Sequence, residues 1–173
     1  GDVYKRQALS EVRGREWASA AELSVNVTKN LWGASKGRQR VVYTDSDEDN
    51  SMKLAADGNI NTYWRTVHNQ FYLAPYPHEI QMSLHKEAKV KGIRYTPRQD
   101  SAEGRIAEYE VYLSRDGKEW GKAVCTGVFT NSKEMQTVEF APRSARYVKL
   151  LALSAVDGGK QATVAELEIL VVD

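Results

Sequence analysis

This sequence has a single cysteine, Cys125, so no intrachain disulfide can frame the fold. No histidine lies close to it in the chain, which argues against a thiol nucleophile, and it is expected half-buried in a strand. The three histidines, His68, His78 and His85, have no zinc-ligand spacing. There is no Gly-x-Ser-x-Gly, no His-Glu-x-x-His and no phosphate-binding glycine loop. Nor does any pair of carboxylates stand out as a catalytic acid and base. An enzyme is therefore not expected. Charge of one sign is missing too: 24 basic residues meet 23 acidic ones, which removes any strong pull toward nucleic acid or an anionic membrane. No apolar run approaches the roughly 18 residues that would span a bilayer. The first seven residues lack the apolar centre of a signal peptide.

What is present is 173 residues, enough for one domain with a sizeable core of its own. Residues 1–24 form the expected N-terminal extension or linker, in which Leu9, Val12, Trp17, Ala20 and Leu23 can share one side of a short helix. From residue 25 to 173 the text is strand-like. His78-Glu-Ile-Gln-Met-Ser-Leu84 alternates cleanly, with Ile80, Met82 and Leu84 on one face. Further strands are expected over 41–43, 90–96, 106–114, 124–129, 136–140, 146–153 and 164–171. Arg115-Asp-Gly-Lys118 marks a hairpin turn, and Pro75 and Pro77 exclude their segment from a central strand. Short strands at regular spacing without helices imply an all-β sandwich or jelly roll.

The stretch Leu54-Ala-Ala-Asp-Gly-Asn-Ile-Asn-Thr-Tyr-Trp64 is the densest in chemistry. Asp57-Gly58 turns the chain tightly, and Asp57, Asn59, Asn61 and Thr62 supply hard oxygen donors within six residues. Calcium takes about 6–8 oxygens. An EF-hand is excluded, because counting from Asp57 its glycine and bidentate glutamate positions hold Thr62 and His68. A calcium loop completed from a distant part of the chain and a plain polar turn before a buried Trp64 both fit this spacing.

An ordered set of segments then carries a resemblance. They are Trp32-Gly-Ala-Ser35, Ala56-Asp-Gly-Asn-Ile-Asn-Thr-Tyr-Trp64, Pro77-His-Glu-Ile-Gln81 and Tyr95-Thr-Pro-Arg-Gln99. Gly104-Arg-Ile-Ala-Glu-Tyr-Glu-Val-Tyr-Leu-Ser114, Asp116-Gly-Lys-Glu-Trp120, Ala145-Arg-Tyr-Val-Lys-Leu150 and Ala165-Glu-Leu167 follow. In this order the chain resembles the F5/8 type C (discoidin-like) domain over about residues 28–172, and within it the bacterial carbohydrate-binding modules of family 32. The resemblance implies an eight-stranded jelly-roll β-sandwich of the galactose-binding-domain type and a non-catalytic glycan-binding role. It also implies a structural Ca²⁺, with side-chain ligands at Asp57, Thr62 and Glu166 and backbone carbonyls at Leu54, Asn59 and Ala165.

For the sugar site, the resemblance points to loops at one end of the sandwich. Arg98 matches the family's binding arginine. Arg65 stands where galactose binders have a histidine, His68 where they often have an aromatic, and Glu103 where they usually have an asparagine. Aromatic rings pack on the C–H faces of sugars, and charged or amide groups hold the hydroxyls. Phe71, Tyr72, Tyr76 or His68 are the candidate platform; Arg98, Arg65, Glu103 and Glu48 are candidates for the hydroxyls. The second arginine, Arg65, raises an acidic sugar as an alternative to a galactose-like one, and an Arg65–Glu103 surface ion pair is the structural alternative. Trp32, Trp64 and Trp120 are expected to serve the core or support turns. The expected partners are glycan and, in cis, a parent glycosidase or surface protein of a secreted, surface-attached or periplasmic bacterial kind. No nucleic acid and no membrane insertion are expected, and the module should be a monomer. A protein- or lipid-binding discoidin-like adhesion module, or a structural domain packed on its parent, are the competing readings.

Overall fold

A computed structural model describes residues 23–26, 38–43, 52–66, 68–69, 72–73 and 75–172. The chain begins with β1 (Leu23–Asn26) and β2 (Arg38–Tyr43), then a 3₁₀ turn over Met52–Ala56. Three two-residue strands follow: β3 (Trp64–Arg65), β4 (His68–Asn69) and β5 (Tyr72–Leu73). The long strand β6 (His78–Thr96) precedes β7 (Glu108–Ser114), β8 (Cys125–Val128) and a second long strand, β9 (Gln136–Ala152). The last two are β10 (Thr163–Val164) and β11 (Glu166–Val171). The all-β sandwich expected from the sequence is the fold observed. Among the described residues no helix is long and apolar enough to cross a membrane.

The main sheet runs β1-β2-β6-β9-β7-β8, all antiparallel, and β11 pairs with the far half of β6. Two expected strands, 78–84 and 90–96, are one continuous strand, as are 136–140 and 146–153. The reason is irregular register rather than a turn. Pairing of β6 with β9 shifts between Ser83 and Ala88 and again between Val90 and Gly92. Such shifts change which face a side chain takes. Ile80, Met82 and Leu84 are buried before the shifts, and Ile93 and Tyr95 after them. The polar run between the halves therefore reads as a loop in sequence, although the strand carries on through it.

Gly92 is what allows this passage. A β-carbon there would lie 2.3 Å from the Val138 carbonyl oxygen on β9, inside any permitted contact. Elsewhere the differences are small. The expected strand over 164–171 divides at Ala165, whose N–H donates to the Thr96 carbonyl. Leu23 belongs to β1, opposite Val41, rather than to a helix, because pairing with β2 outweighs a weak helical pattern. Cys125 is half-buried in β8.

The buried apolar side chains of these strands form one core. Trp64, Tyr95, Ile80, Met82, Ile93, Ile106, Leu150, Leu167 and Ile169 are all essentially inaccessible. Each apolar side chain of this size contributes about 1.5–3 kcal/mol on burial. Tyr95 and Tyr109 both pack on Phe129, with ring centroids 4.5 and 4.0 Å apart. The Tyr95 hydroxyl donates to the Thr163 carbonyl and accepts from the Ile106 N–H.

At the other end of β6, the His78 Nε2–H donates to the Lys160 carbonyl at 2.6 Å, and the Tyr76 hydroxyl donates to the Gln161 carbonyl. Both ends of β6 thus reach segment 160–163, which brings them to one rim. The candidate functional residues sit at that rim.

Candidate functional site

The acidic loop is fixed at both ends before its polar residues are placed. Ala55 and Ala56 of the 3₁₀ turn are buried on one side, and Trp64 on the other. Between them Gly58 takes φ 81°, the left-handed conformation that Asp-Gly turns favour. Asp57 Oδ1 accepts the Asn59 N–H at 2.8 Å, and Asn59 Oδ1 accepts the Asn61 N–H at 3.0 Å. The Thr62 hydroxyl lies 2.7 Å from Asp57 Oδ2 and 2.8 Å from the Asn59 carbonyl oxygen. Its one proton can serve only one of these, so three oxygens are crowded around a single hydrogen.

Glu166 enters the loop from the start of β11, although it lies 108 positions from Gly58 in the chain. Its Oε1 accepts the N–H of Gly58 at 2.8 Å and of Asn59 at 3.1 Å. Its Oε2 is buried and has no hydrogen-bond donor. Burial, then the Asp57 carboxylate beside it, push the Glu166 carboxyl up to about 8, while the two backbone N–H groups pull the other way. An orphaned buried carboxylate oxygen facing a second carboxylate is costly unless a positive charge joins them. The donors around it are all hard oxygens, the set that suits Ca²⁺. Among the described residues no group of three His, Cys, Asp or Glu side chains gathers, so the remaining ligands would be the Thr62 hydroxyl and carbonyls. The Asn59 carbonyl is already in the cluster. Leu54 lies in the 3₁₀ turn that enters the loop, and Ala165 directly precedes Glu166.

The rim lies alongside. β3 pairs with β10, which places Arg65 opposite Thr163. The Thr163 N–H donates to the Gly104 carbonyl at 2.7 Å and its hydroxyl to the Glu103 carbonyl at 3.2 Å. Gly104, at φ 72°, is needed here, because a β-carbon would meet Thr163 Cγ2 at 2.8 Å. Arg65 and Glu103 thus reach the rim through the same short strand.

Arg98 is the most constrained group on the rim, with only 10% of its side chain exposed. Its Nε and Nη2 form a fork with Asp100, at 2.5 and 3.2 Å, and its Nη1 donates to Glu103 at 3.1 Å. Its guanidinium carbon stands 4.4 Å from the centre of the Tyr63 ring. The Asp100 hydrogen bond is the main reason the guanidinium is held above its ordinary value, and in return Arg98 holds the Asp100 carboxyl below the usual carboxylate range. The Arg98 carbonyl accepts from Arg105 Nε, whose Nη1 reaches Asn131.

The candidate residues fall at different places in this geometry. The ion-pair partner of Glu103 is Arg98, which reaches it within the loop over 97–104. Tyr76 is half-buried, and its hydroxyl donates to the Gln161 carbonyl. His68 and Tyr72 belong to a small hairpin, opposite Leu73 and Asn69 respectively. Glu48, Phe71 and Trp32 lie outside the described residues. Tyr63 and Asp100 complete the Arg98 clamp, and no motif in the sequence marks either as a site residue. The acid two residues after an arginine in a tight loop was the available signal for Asp100. Trp64 serves the core, and Trp120 packs on Lys149.

A sequence model described as the F5/8 type C domain matches residues 38–167. A sialidase of Micromonospora viridifaciens is 37% identical over 155 residues, which are 87% of this chain and 24% of that protein. The chain thus spans about a quarter of that relative's length. A family 32 carbohydrate-binding module of Clostridium perfringens NanJ, solved in complex with galactose, superposes with a TM-score of 0.68 at 31% identity, covering 76% of this chain and 92% of that one. A second Clostridium perfringens module, solved in complex with GalNAc-β-1,3-galactose, gives a TM-score of 0.70 at 29% identity, covering 76% and 94%.

Proposed function

We propose that this chain, which belongs to the F5/8 type C domain family, binds glycan at its rim without altering it. The observation that carries this is the Arg98 clamp. A buried guanidinium, fixed by Tyr63 and two carboxylates, presents rigid polar groups at the end of the sandwich where the loops gather. Rigid, prepaired groups suit hydroxyl recognition, because little is lost in ordering them on binding. Two similar modules were solved with galactose-containing sugars, which supports a galactose-like ligand. The two acids around Arg98 weigh against an acidic one, since they more than cancel its charge.

Ca²⁺ at the neighbouring loop has a structural role in this reading. Asp57, Thr62 and Glu166 hold it, with the carbonyls of Leu54, Asn59 and Ala165. The support is the donorless Glu166 Oε2 facing Asp57. The ion would tie the loop to β11 and so steady Tyr63, which follows the loop and carries the ring beneath Arg98.

The module would act as an anchor within a longer, secreted or surface-attached protein, holding a glycosidase near its substrate. The similarity to part of a sialidase favours this over a free-standing role. One module is expected to bind weakly, and avidity would come from the parent protein. Glycan-array screening followed by calorimetry tests the reading. Galactosides should bind, and Arg98→Ala should weaken them at least tenfold, about 1.4 kcal/mol, while the fold persists. Liposome binding with no glycan bound would favour an adhesion module instead.

A further inference from the structure

The sheet has a second chemically distinct place, built from other residues than the Arg98 clamp. Val111, Leu150 and Ile80 pair across β7, β9 and β6 and point into the core, so their neighbours point outward. This sets Glu79 beside Leu151, and Tyr112 and Gln81 on either side of Lys149. The connection from β7 to β8 returns over this outer face and lays Trp120 on it. The result is a pocket of about 290 Å³ walled by Pro77, Glu79, Tyr112, Trp120, Lys149 and Leu151.

Its polar groups are held in place. Lys149 Nζ lies 4.4 Å from the centre of the Trp120 ring, 5.0 Å from that of Tyr112 and 3.6 Å from Glu79 Oε2. Only 14% of the Lys149 side chain and 11% of the Glu79 side chain are exposed. Glu79 is held in turn by Gln81, and the Tyr112 hydroxyl donates to Glu110 at 2.5 Å. The ammonium and the carboxylate pair on the wall of the pocket, so neither stands as a lone charge to attract an acid or a base. It offers the N–H donors of a fixed ammonium between aromatic and aliphatic walls.

We propose that this pocket is a second saccharide subsite, for one neutral pyranose ring. Such a ring has hydroxyls on its edge for the ammonium and a C–H face for aromatic or aliphatic walls. Pockets for drug-sized ligands start at about 300 Å³, so one ring, or the end of a longer chain, is the size that fits. Pro77 directly follows Tyr76, which holds the rim at Gln161, so the pocket adjoins the rim without sharing its polar groups. The proposal rests on the reading that the chain binds glycan, but it uses a different surface.

The test is a titration of the ¹⁵N-labelled chain with methyl β-galactopyranoside and methyl β-glucopyranoside, followed by NMR. The Trp120 indole N–H and the Gly121 and Leu151 amides are expected to shift and saturate. Those shifts should persist in Arg98→Ala and vanish in Lys149→Met, in which the Glu103 and Gly104 signals still respond to the galactoside. Methyl galacturonate should bind the pocket at least tenfold more weakly. If Lys149→Met does not fold, Leu151→Lys, which puts a second cation at the mouth, should abolish the same shifts. No saturable shift at Trp120, or shifts that survive the Lys149 or Leu151 variant, would overturn the proposal. So would shifts that disappear in Arg98→Ala. Loss of the rim signals alone would refute the rim reading and leave this one standing.

Discussion

Gly58 and Glu166 lie 108 positions apart in the chain and are joined by one N–H···O bond of 2.8 Å. That bond uses only half of the carboxylate. The other oxygen is buried without a donor, next to Asp57, and this unequal pairing gives the calcium reading its first test.

Calcium should raise the thermal midpoint of the native chain, and chelation should lower it. At a hundredfold excess over its dissociation constant, a ligand that binds only the folded state contributes about 2.7 kcal/mol. Glu166→Gln should abolish the calcium response. Without calcium it should not be less stable than the native chain at neutral pH, since a carboxyl pushed up to about 8 is already mostly protonated there and the amide is its neutral isostere. Differential scanning calorimetry of both chains, with calcium and with chelator, reads both effects. An equal loss of stability in the two conditions would show that Glu166 acts through its hydrogen bonds alone.

The rim is tested through the shape of Arg98. A fork to Asp100 combined with a bond to Glu103 needs a planar guanidinium, so Arg98→Lys should not restore what Arg98→Ala removes. Galactoside affinity measured by calorimetry should fall in both variants. Retained affinity in the lysine variant would mean that charge alone is read at this position.

How far could this site be read from the residues themselves? The loop was legible, because Asp-Gly turns and clustered oxygen donors carry local meaning. The part played by Glu166 was not legible locally. An acid in an apolar strand has no visible partner, and only the ordered pattern of segments pointed to it. Strand existence was legible from alternation, but strand continuity was not, since the shifts after Ser83 and after Val90 break the alternation without breaking the pairing. In the sequence Tyr63 reads as core, because it stands beside Trp64. Its ring instead lies against Arg98, from a loop that begins more than thirty residues later. Glu103 pairs with Arg98, five residues away within its own loop, and nothing local in the sequence marks that choice over Arg65.

Acid should loosen the Arg98 clamp in a defined direction. Arg98 holds the Asp100 carboxyl below the ordinary carboxylate value of about 3.9. A group whose value is lowered on folding contributes stability above its unfolded value, and that contribution is lost as pH falls through the folded one. The contribution should be small, because the Asp100 side chain is 64% exposed and solvent screens it. Melting curves of the native chain and Asp100→Asn should therefore differ at neutral pH and converge in acid below the lowered value. A gap that stays constant across that range would mean that Asp100 contributes through shape rather than charge.

The passage of β6 past β9 gives the sharpest prediction about the fold. At Gly92 the Val138 carbonyl oxygen stands 2.3 Å from where a β-carbon would be, and Glu139 Cα and Leu170 Cδ1 close the other sides at 3.3 Å. The nearest of these atoms is backbone, in the middle of a paired strand, so it cannot swing aside as a side-chain tip would. Gly92→Ala must push β9 away from β6 or pull β11 with it, and overpacking of this kind typically costs about 1–3 kcal/mol. The cost should appear as a lower urea midpoint with an unchanged slope, since the surface exposed on unfolding stays the same. Gly121→Ala is the matched comparison. No atom lies within 4 Å of a β-carbon there, but φ is 61°, so its cost is conformational only. Gly92→Ala should therefore destabilise the chain by more than Gly121→Ala. Equal midpoints for the two variants would mean that the strands at Gly92 yield more easily than their continuous pairing implies.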